Sequence, residues 1–187
     1  MGGTCGISAT NIRYTATGYY MRKFASDASN RNTNQDGFLR MIRLTDVYMN
    51  FAEVAYQVAG PYQNVAGVNM SAADALNAIR ARAGMPNLPT GLTATQFEAR
   101  YRNERRVEFA FEQDRYFSLR RWNTLGENAR QVTGMRITQN GSAFTYQRFA
   151  FDARKTAESK YLLYPINTTE LNKMTKLTGN NWQNPGW

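Results

Sequence analysis

The sequence predicts an all-α fold with a loop-rich subdomain and a minor β-hairpin, and three observations carry the prediction. Three segments between residues 40 and 125 repeat apolar side chains at three- and four-residue spacing, the period of a helix with one buried face. Each segment is bounded by a helix start or stop signal. Sustained alternation, the mark of a strand, is confined to a short stretch after residue 126. With 187 residues the chain fits one domain, long enough to bury roughly 70% of its unfolded surface.

Residues 1–37 are polar and rich in Ser, Thr, Asn and Gly, and read as loop with room for one strand. From Arg40, the series Met41, Leu44, Tyr48, Phe51, Ala52, Ala55 and Val58 gives an amphipathic helix that Gly60-Pro61 terminates. Ser71 with Asp74 is a capping-box variant that opens a second helix through Ala72, Ala75, Leu76, Ile79 and Ala83, closed by Gly84 and Pro86. The two form an expected antiparallel hairpin. Thr93 with Gln96 is a second capping box, and it opens a helix carrying Phe97, Tyr101, Val107, Phe111 and Arg115 that the periodicity extends to Trp122. Beyond residue 126, Phe144, Tyr146, Phe149 and Phe151 alternate, which suits a weak hairpin around Asn140-Gly141. Residues 161–166 read as extended and apolar, residues 169–174 as a short helix, and Asn184-Pro185-Gly186-Trp187 as a terminal turn. The expected organisation is one domain over residues 1–187, with an irregular lead-in (1–39), a helical core (40–125) and a loop-rich subdomain (126–187).

Composition narrows the chemistry. With no histidine and only Cys5 as a thiol, a zinc site, a histidine-based triad and an intramolecular disulfide framework are excluded. No apolar run approaches the eighteen or so residues of a membrane span, and the first residues carry no targeting signal. The net charge of +9 raises nucleic acid as a partner, but its distribution argues against it. Lys and Arg number eight against five acids in residues 1–92, seven against five in 93–125 and eight against four in 126–187, so no basic stripe forms. Arginine outnumbers lysine 18 to 5, a bias suited to planar, bidentate pairing with carboxylates.

The third helix carries the densest charge. Glu104, Glu108 and Glu112 recur at four-residue spacing, a repulsive column unless guanidinium groups reach it; Arg105, Arg115, Arg80 and Arg82 are the expected partners. Two carboxyls across a sugar would instead serve a glycosidase. The ion-pair network is preferred, because a general acid needs a raised pKa and neighbouring arginines lower it. Aromatic rings in polar stretches are the better functional signal. A ring beside Asn, Gln and Arg offers a flat face to a sugar with polar groups for its hydroxyls. Tyr14, Tyr62 and Tyr146 are the candidate glycan-binding residues; no catalytic residue, metal ligand or cofactor site is expected. Triplets at Asn69, Asn140 and Asn167 match the glycosylation pattern, which Asn-rich chains produce by chance.

Four segments together resemble a known family. Glu104-Arg105-Arg106-Val107-Glu108-Phe109-Ala110-Phe111-Glu112, running on through Arg115-Tyr116-Phe117-Ser118-Leu119-Arg120-Arg121-Trp122, is similar to the hallmark helix of the SusD/RagB outer-membrane nutrient-binding lipoproteins. Arg43-Leu44-Thr45-Asp46-Val47-Tyr48 through Asn50-Phe51-Ala52-Glu53-Val54-Ala55 resembles the family's Arg-x-x-Glu-Val helix. Ala75 to Pro86 resembles its next helix, and Leu163-Tyr164-Pro165-Ile166 with Asn184-Pro185-Gly186-Trp187 resembles its end. The matches follow the family's order over about residues 40–187. Gln113 stands where Gly is expected, Ser118 where Asp, Asn167 where Pro and Asp46 where Glu.

The resemblance implies a tetratricopeptide-like helical lobe and a non-catalytic protein at the cell surface. Such a protein captures oligosaccharides, or in some members peptides, and delivers them to a SusC-like TonB-dependent transporter of the outer membrane. It also implies an anchoring lipid and an N-terminal half with further helix pairs, so the chain reads as the C-terminal part of such a protein or a short version of one. The alternatives from other classes are a helical-repeat interaction module without small-molecule ligand, and a carboxylate-dependent glycosidase.

Overall fold

The computed structural model describes residues 15–24, 41–126, 131–153 and 158–187. In chain order it has α1 (Leu44–Val58), α2 (Ala72–Arg82), α3 (Ala94–Glu108), α4 (Asp114–Arg121), β1 (Gln131–Asn140), β2 (Ala143–Ala153) and α5 (Thr168–Thr178). The fold is thus mostly helical, with one two-stranded antiparallel sheet. The chain divides into two compact units, residues 28–114 and residues 1–27 with 115–187.

In the unit of residues 28–114, α1 begins where the Asp46 carboxylate accepts the Arg43 backbone N–H at 2.9 Å; this acid in the first turn also suits the helix dipole. α2 begins with the expected reciprocal cap: the Ser71 hydroxyl accepts from Asp74 N at 3.1 Å and the Asp74 carboxylate accepts from Ser71 N at 2.9 Å. Thr93 and Gln96 repeat the device at α3, at 3.3 and 3.0 Å. α1 packs on α2 and touches α3. The buried faces of the first pair are rich in alanine (Ala52, Ala55, Ala72 and Ala75), which leaves no room for solvent. Met49, Leu76, Phe97 and Tyr101 are fully buried, and each adds roughly 1.5–3 kcal/mol of apolar burial. Tyr56 joins the layers, its ring 5.5 Å from Phe97 and 5.8 Å from Tyr101.

One expectation fails here. The single helix from Thr93 to Trp122 is two helices, with a break between Glu108 and Asp114. Phe111 and Gln113 adopt φ of +65° and +62°, left-handed values that end an α-helix. Periodicity could not see this, because Phe109 and Leu119 remain buried on either side of the break and keep the apolar spacing.

In the other unit, β1 and β2 pair over a longer stretch than a weak hairpin, with Asn140 opposite Ala143 and Gln131 opposite Ala153. The two-residue turn is Gly141-Ser142, with Gly141 at φ +62°, the glycine-first arrangement of a type II′ turn. Residues 161–166 are only partly extended, because a 3₁₀ turn occupies Ser159–Leu162. The last helix is longer than residues 169–174: Asn167 caps it through Thr169 N at 2.9 Å, and Gly179 closes it at φ +74°. The C-terminal turn then clamps the 160–166 segment. Gln183 exchanges two bonds with Ile166 (2.8 and 3.1 Å), Asn184 Nδ2 donates to Tyr164 O at 2.6 Å, and Trp187 Nε1 donates to Lys160 O at 3.1 Å.

Candidate functional site

Glu104 and Glu108 lie on α3 and Glu112 in the break that follows it, so the three do not form one helical column; all three are held by arginines, though not all by those expected. Arg80 reaches Glu104 at 2.6 Å and Arg82 reaches Glu108 at 2.6 Å, as the spacing suggested. The principal partner is Arg43, which the sequence around the three acids did not reveal. Its Nη1 donates to Glu108 at 2.6 Å and to the Thr45 hydroxyl at 2.9 Å; its Nε and Nη2 hold both Glu112 oxygens at 3.1 and 2.9 Å; and Nη2 also reaches Glu108 O at 3.0 Å. All five N–H groups are engaged. Burial opposes the Arg43 charge, and the bonds to Glu108 and Glu112 more than offset it, so its pKa lies above the ordinary arginine value.

Arg105 forms a second centre. It chelates Asp114 (2.7–3.2 Å) and donates to Asn50 at 2.9 Å and to the Tyr101 hydroxyl at 3.1 Å, while that hydroxyl bonds Glu53 at 2.7 Å. Burial again works against the charge, and Asp114 and Tyr101 outweigh it, holding the Arg105 pKa high. The buried Phe109 ring lies 5.0 Å from the Arg43 guanidinium and 5.1 Å from that of Arg105. Carboxylates that accept guanidinium hydrogen bonds on this scale serve as ion-pair partners rather than as proton donors. The 104–114 segment is scaffold.

A cleft of about 380 Å³ opens beside that scaffold, within residues 28–114, where the loop after α2 faces α3. Leu88 and Leu92 supply its apolar lining; Arg80, Gln96, Arg100, Asn103 and Glu104 supply its polar lining. The loop is held from three directions. Arg80 Nε donates to Pro86 O at 2.8 Å, Asn77 Oδ1 accepts Leu88 N at 2.8 Å, and the Tyr62 hydroxyl donates to Pro89 O at 2.8 Å while accepting Leu92 N at 3.0 Å. The loop side of the lining is therefore pre-organised. On α3 the buried face is Phe97, Tyr101 and Arg105, so Gln96, Arg100 and Asn103 fall on the exposed side. The side-chain oxygens of Gln96 and Asn103 are taken, by Thr93 N at 3.0 Å and Arg106 at 3.0 Å, which leaves their amide N–H₂ groups as donors.

The three rings singled out in the sequence fall in different places. Tyr14 lies outside the described residues. Tyr62 is half-buried, and its hydroxyl braces the loop that lines the cleft. Tyr146 stands on β2 opposite Ile137, 67% exposed, with Phe144, Met135 and Arg148 on the same strand face. Sequence reasoning did not find the cleft residues Leu88, Leu92, Arg100 and Asn103. The one available signal was the polar face of α3 at positions 96, 100 and 103, opposite the apolar stripe.

Among the described residues no group of three or more His, Cys, Asp or Glu side chains is placed to hold a metal ion, and no helix is long and apolar enough to cross a membrane. No curated protein and no solved structure matches the chain. A family model described as the SusD family matches residues 6–187, most of the chain. The chain belongs to the SusD family, whose members are in general binding proteins for carbohydrate and other nutrients at the surface of the outer membrane.

Proposed function

We propose, from membership of the SusD family, that the chain captures an oligosaccharide nutrient at the cell surface and hands it unmodified to a SusC-like TonB-dependent transporter. The match over residues 6–187 carries this reading. Two features of the molecule support it. The carboxylates of the 104–114 segment are engaged by arginines, which suits binding without turnover. Tyr146 presents an exposed ring beside Arg148 and Gln139, a surface on which a sugar can stack. Tyr14 and Tyr62 remain the companion glycan-binding residues of this proposal, with the helical lobe taken as tetratricopeptide-like.

A panel of neutral and acidic oligosaccharides and short peptides, titrated calorimetrically and followed by product chromatography, tests the reading. Binding with intact ligand supports it, and cleavage of the ligand would make the protein a glycosidase. In a protein that binds glycan, Tyr146→Ala is expected to weaken affinity about tenfold, as loss of a stacking platform does. A second reading, an interaction module, draws on one observation: Leu44, Val47, Val54 and Val58 form an exposed apolar stripe along α1. Failure to bind any member of the panel would favour it.

A further inference from the structure

We infer that the cleft beside α3 is a subsite for an acidic sugar, the carboxylate of a uronate residue being received by Arg100; this rests on the nutrient-binding reading above. Three observations point there. Arg100 lines the cleft and makes no ion pair or hydrogen bond among the described residues, although the chain ties its other α2 and α3 guanidiniums to nearby groups. Glu104, one helical turn on and the natural partner, is already held by Arg80 at 2.6 Å. Of the three charged groups lining the cleft, Arg80 and Glu104 cancel and Arg100 is left uncompensated, so the cleft presents one net positive charge.

The neighbours of Arg100 match the rest of such a ligand. The N–H₂ groups of Gln96 and Asn103 are donors without a partner among the described residues, suited to the carboxylate's second oxygen and to ring or hydroxyl oxygens. Leu88 and Leu92 offer an apolar wall to the C–H face of a pyranose. A volume of about 380 Å³ lies within the roughly 300–1,000 Å³ of small-ligand pockets. The planar guanidinium fork favours a carboxylate, which it grips with two parallel N–H bonds, over a neutral hydroxyl. The loop bearing the leucines is already pinned by Tyr62, Asn77 and Arg80, so the apolar wall adds little ordering cost on binding.

The test is calorimetric titration with di- and trigalacturonate and, in parallel, neutral galacto-, cello- and malto-oligosaccharides, at 50 and 500 mM salt as order-of-magnitude choices bracketing strong and weak screening. The uronates are expected to bind more tightly than the neutral sugars, and to weaken with salt while the neutral sugars do not. Arg100→Gln should weaken uronate binding about tenfold or more, leave neutral sugars unchanged and keep the thermal melt of the parent, since Arg100 is exposed. Arg136→Gln, on β1 and outside the cleft, removes the same charge and should change neither. Neutral sugars binding as well as uronates would overturn the inference and leave the nutrient-binding reading standing. A uronate preference that survives Arg100→Gln, or falls equally with Arg136→Gln, would assign it to the overall +9 charge and overturn the cleft. No binding across both sets would end the inference and the reading together.

Discussion

Gln113 holds φ at +62° where the family resemblance leads one to expect glycine, and at such an angle a side chain costs about 1 kcal/mol. Gln113→Gly is therefore expected to stabilise the protein by about 0.5–1 kcal/mol, read as a rise of a few degrees in Tm; a lower Tm would mean that the glutamine side chain contributes more than the strain costs. Arg43 is a larger case. With all five donors engaged and its side chain 15% exposed, replacement even by lysine loses the bidentate hold on Glu112. The expected loss for Arg43→Lys is about 2–3 kcal/mol in urea unfolding, under the roughly 3–5 of a fully buried pair. Three groups shape the pH profile. Hydrogen bonds from Ser71 hold the Asp74 carboxyl below its ordinary value of 3.8. Its contribution is present above about pH 4 and is lost as the pH falls further. Burial raises the Tyr101 hydroxyl, and Tyr56 likewise, above the ordinary 10.0. Their contribution is complete below about pH 10 and is lost as the pH climbs. Ultraviolet titration should show the Tyr101 phenol ionising only with unfolding; its ionisation in folded protein would contradict the burial. These residue-level features divide by sequence distance. The Asp74 cap was legible because Ser71 lies three residues away, whereas the role of Arg43 was not, since its acids lie 65 and 69 residues on.

Among the elements, the hairpin depends on a close approach at Gly134. A Cβ there would run into the Phe149 ring and come within 2.6 Å of Thr17 O, while the next residue, Met135, donates its N–H to Thr17 O at 2.8 Å. Gly134→Ala is expected to destabilise by about 1–3 kcal/mol through overpacking, with loss of the Phe149 ring-current shifts in proton NMR. An unperturbed Phe149 would show that the strands part more easily than the packing implies. The sequence placed a hairpin around Asn140-Gly141 but understated its length, because residues exposed on both faces leave little contrast for a period of two to show. α1 presents the opposite case. Its buried stripe (Thr45, Met49, Ala52, Tyr56) and its exposed stripe (Leu44, Val47, Val54, Val58) are both largely apolar, and periodicity alone could not say which faces the core. Contact with α2 and α3 selects the first. Val54→Gln with Val58→Gln should leave Tm nearly unchanged and raise solubility; a marked drop in Tm would mean the stripe is covered.

For the whole molecule, the two units offer separate spectroscopic probes. All three tryptophans (Trp122, Trp182 and Trp187) belong to the unit of residues 1–27 and 115–187, while α1, α2 and α3 belong to residues 28–114. Arg43→Lys should lower the far-ultraviolet helical transition more than the tryptophan fluorescence transition; equal shifts would mean that the chain unfolds as one cooperative body. At the same scale the even spread of the +9 charge argued against a nucleic-acid stripe, but gave no sign that one uncompensated cationic group lines a cleft.

The presence of α1 and α2, the start of α3, the caps at Ser71 and Thr93 and the presence of a hairpin near Gly141 were determined by the sequence alone, because each rests on groups within a few residues of one another: Ser71 with Asp74, Thr93 with Gln96, Gly141 in its turn. The family likewise was legible in linear motifs, since a helix face and its neighbours are written contiguously. The break after Glu108, the engagement of Arg43 with Glu108 and Glu112, and the enclosure of Leu88, Leu92 and Arg100 around one cleft were decided only by the tertiary structure. Those features depend on chain closures of up to 69 residues. The entropy of such closures is offset by burial and ion pairing summed over the assembled unit, an energy that no local stretch of sequence contains.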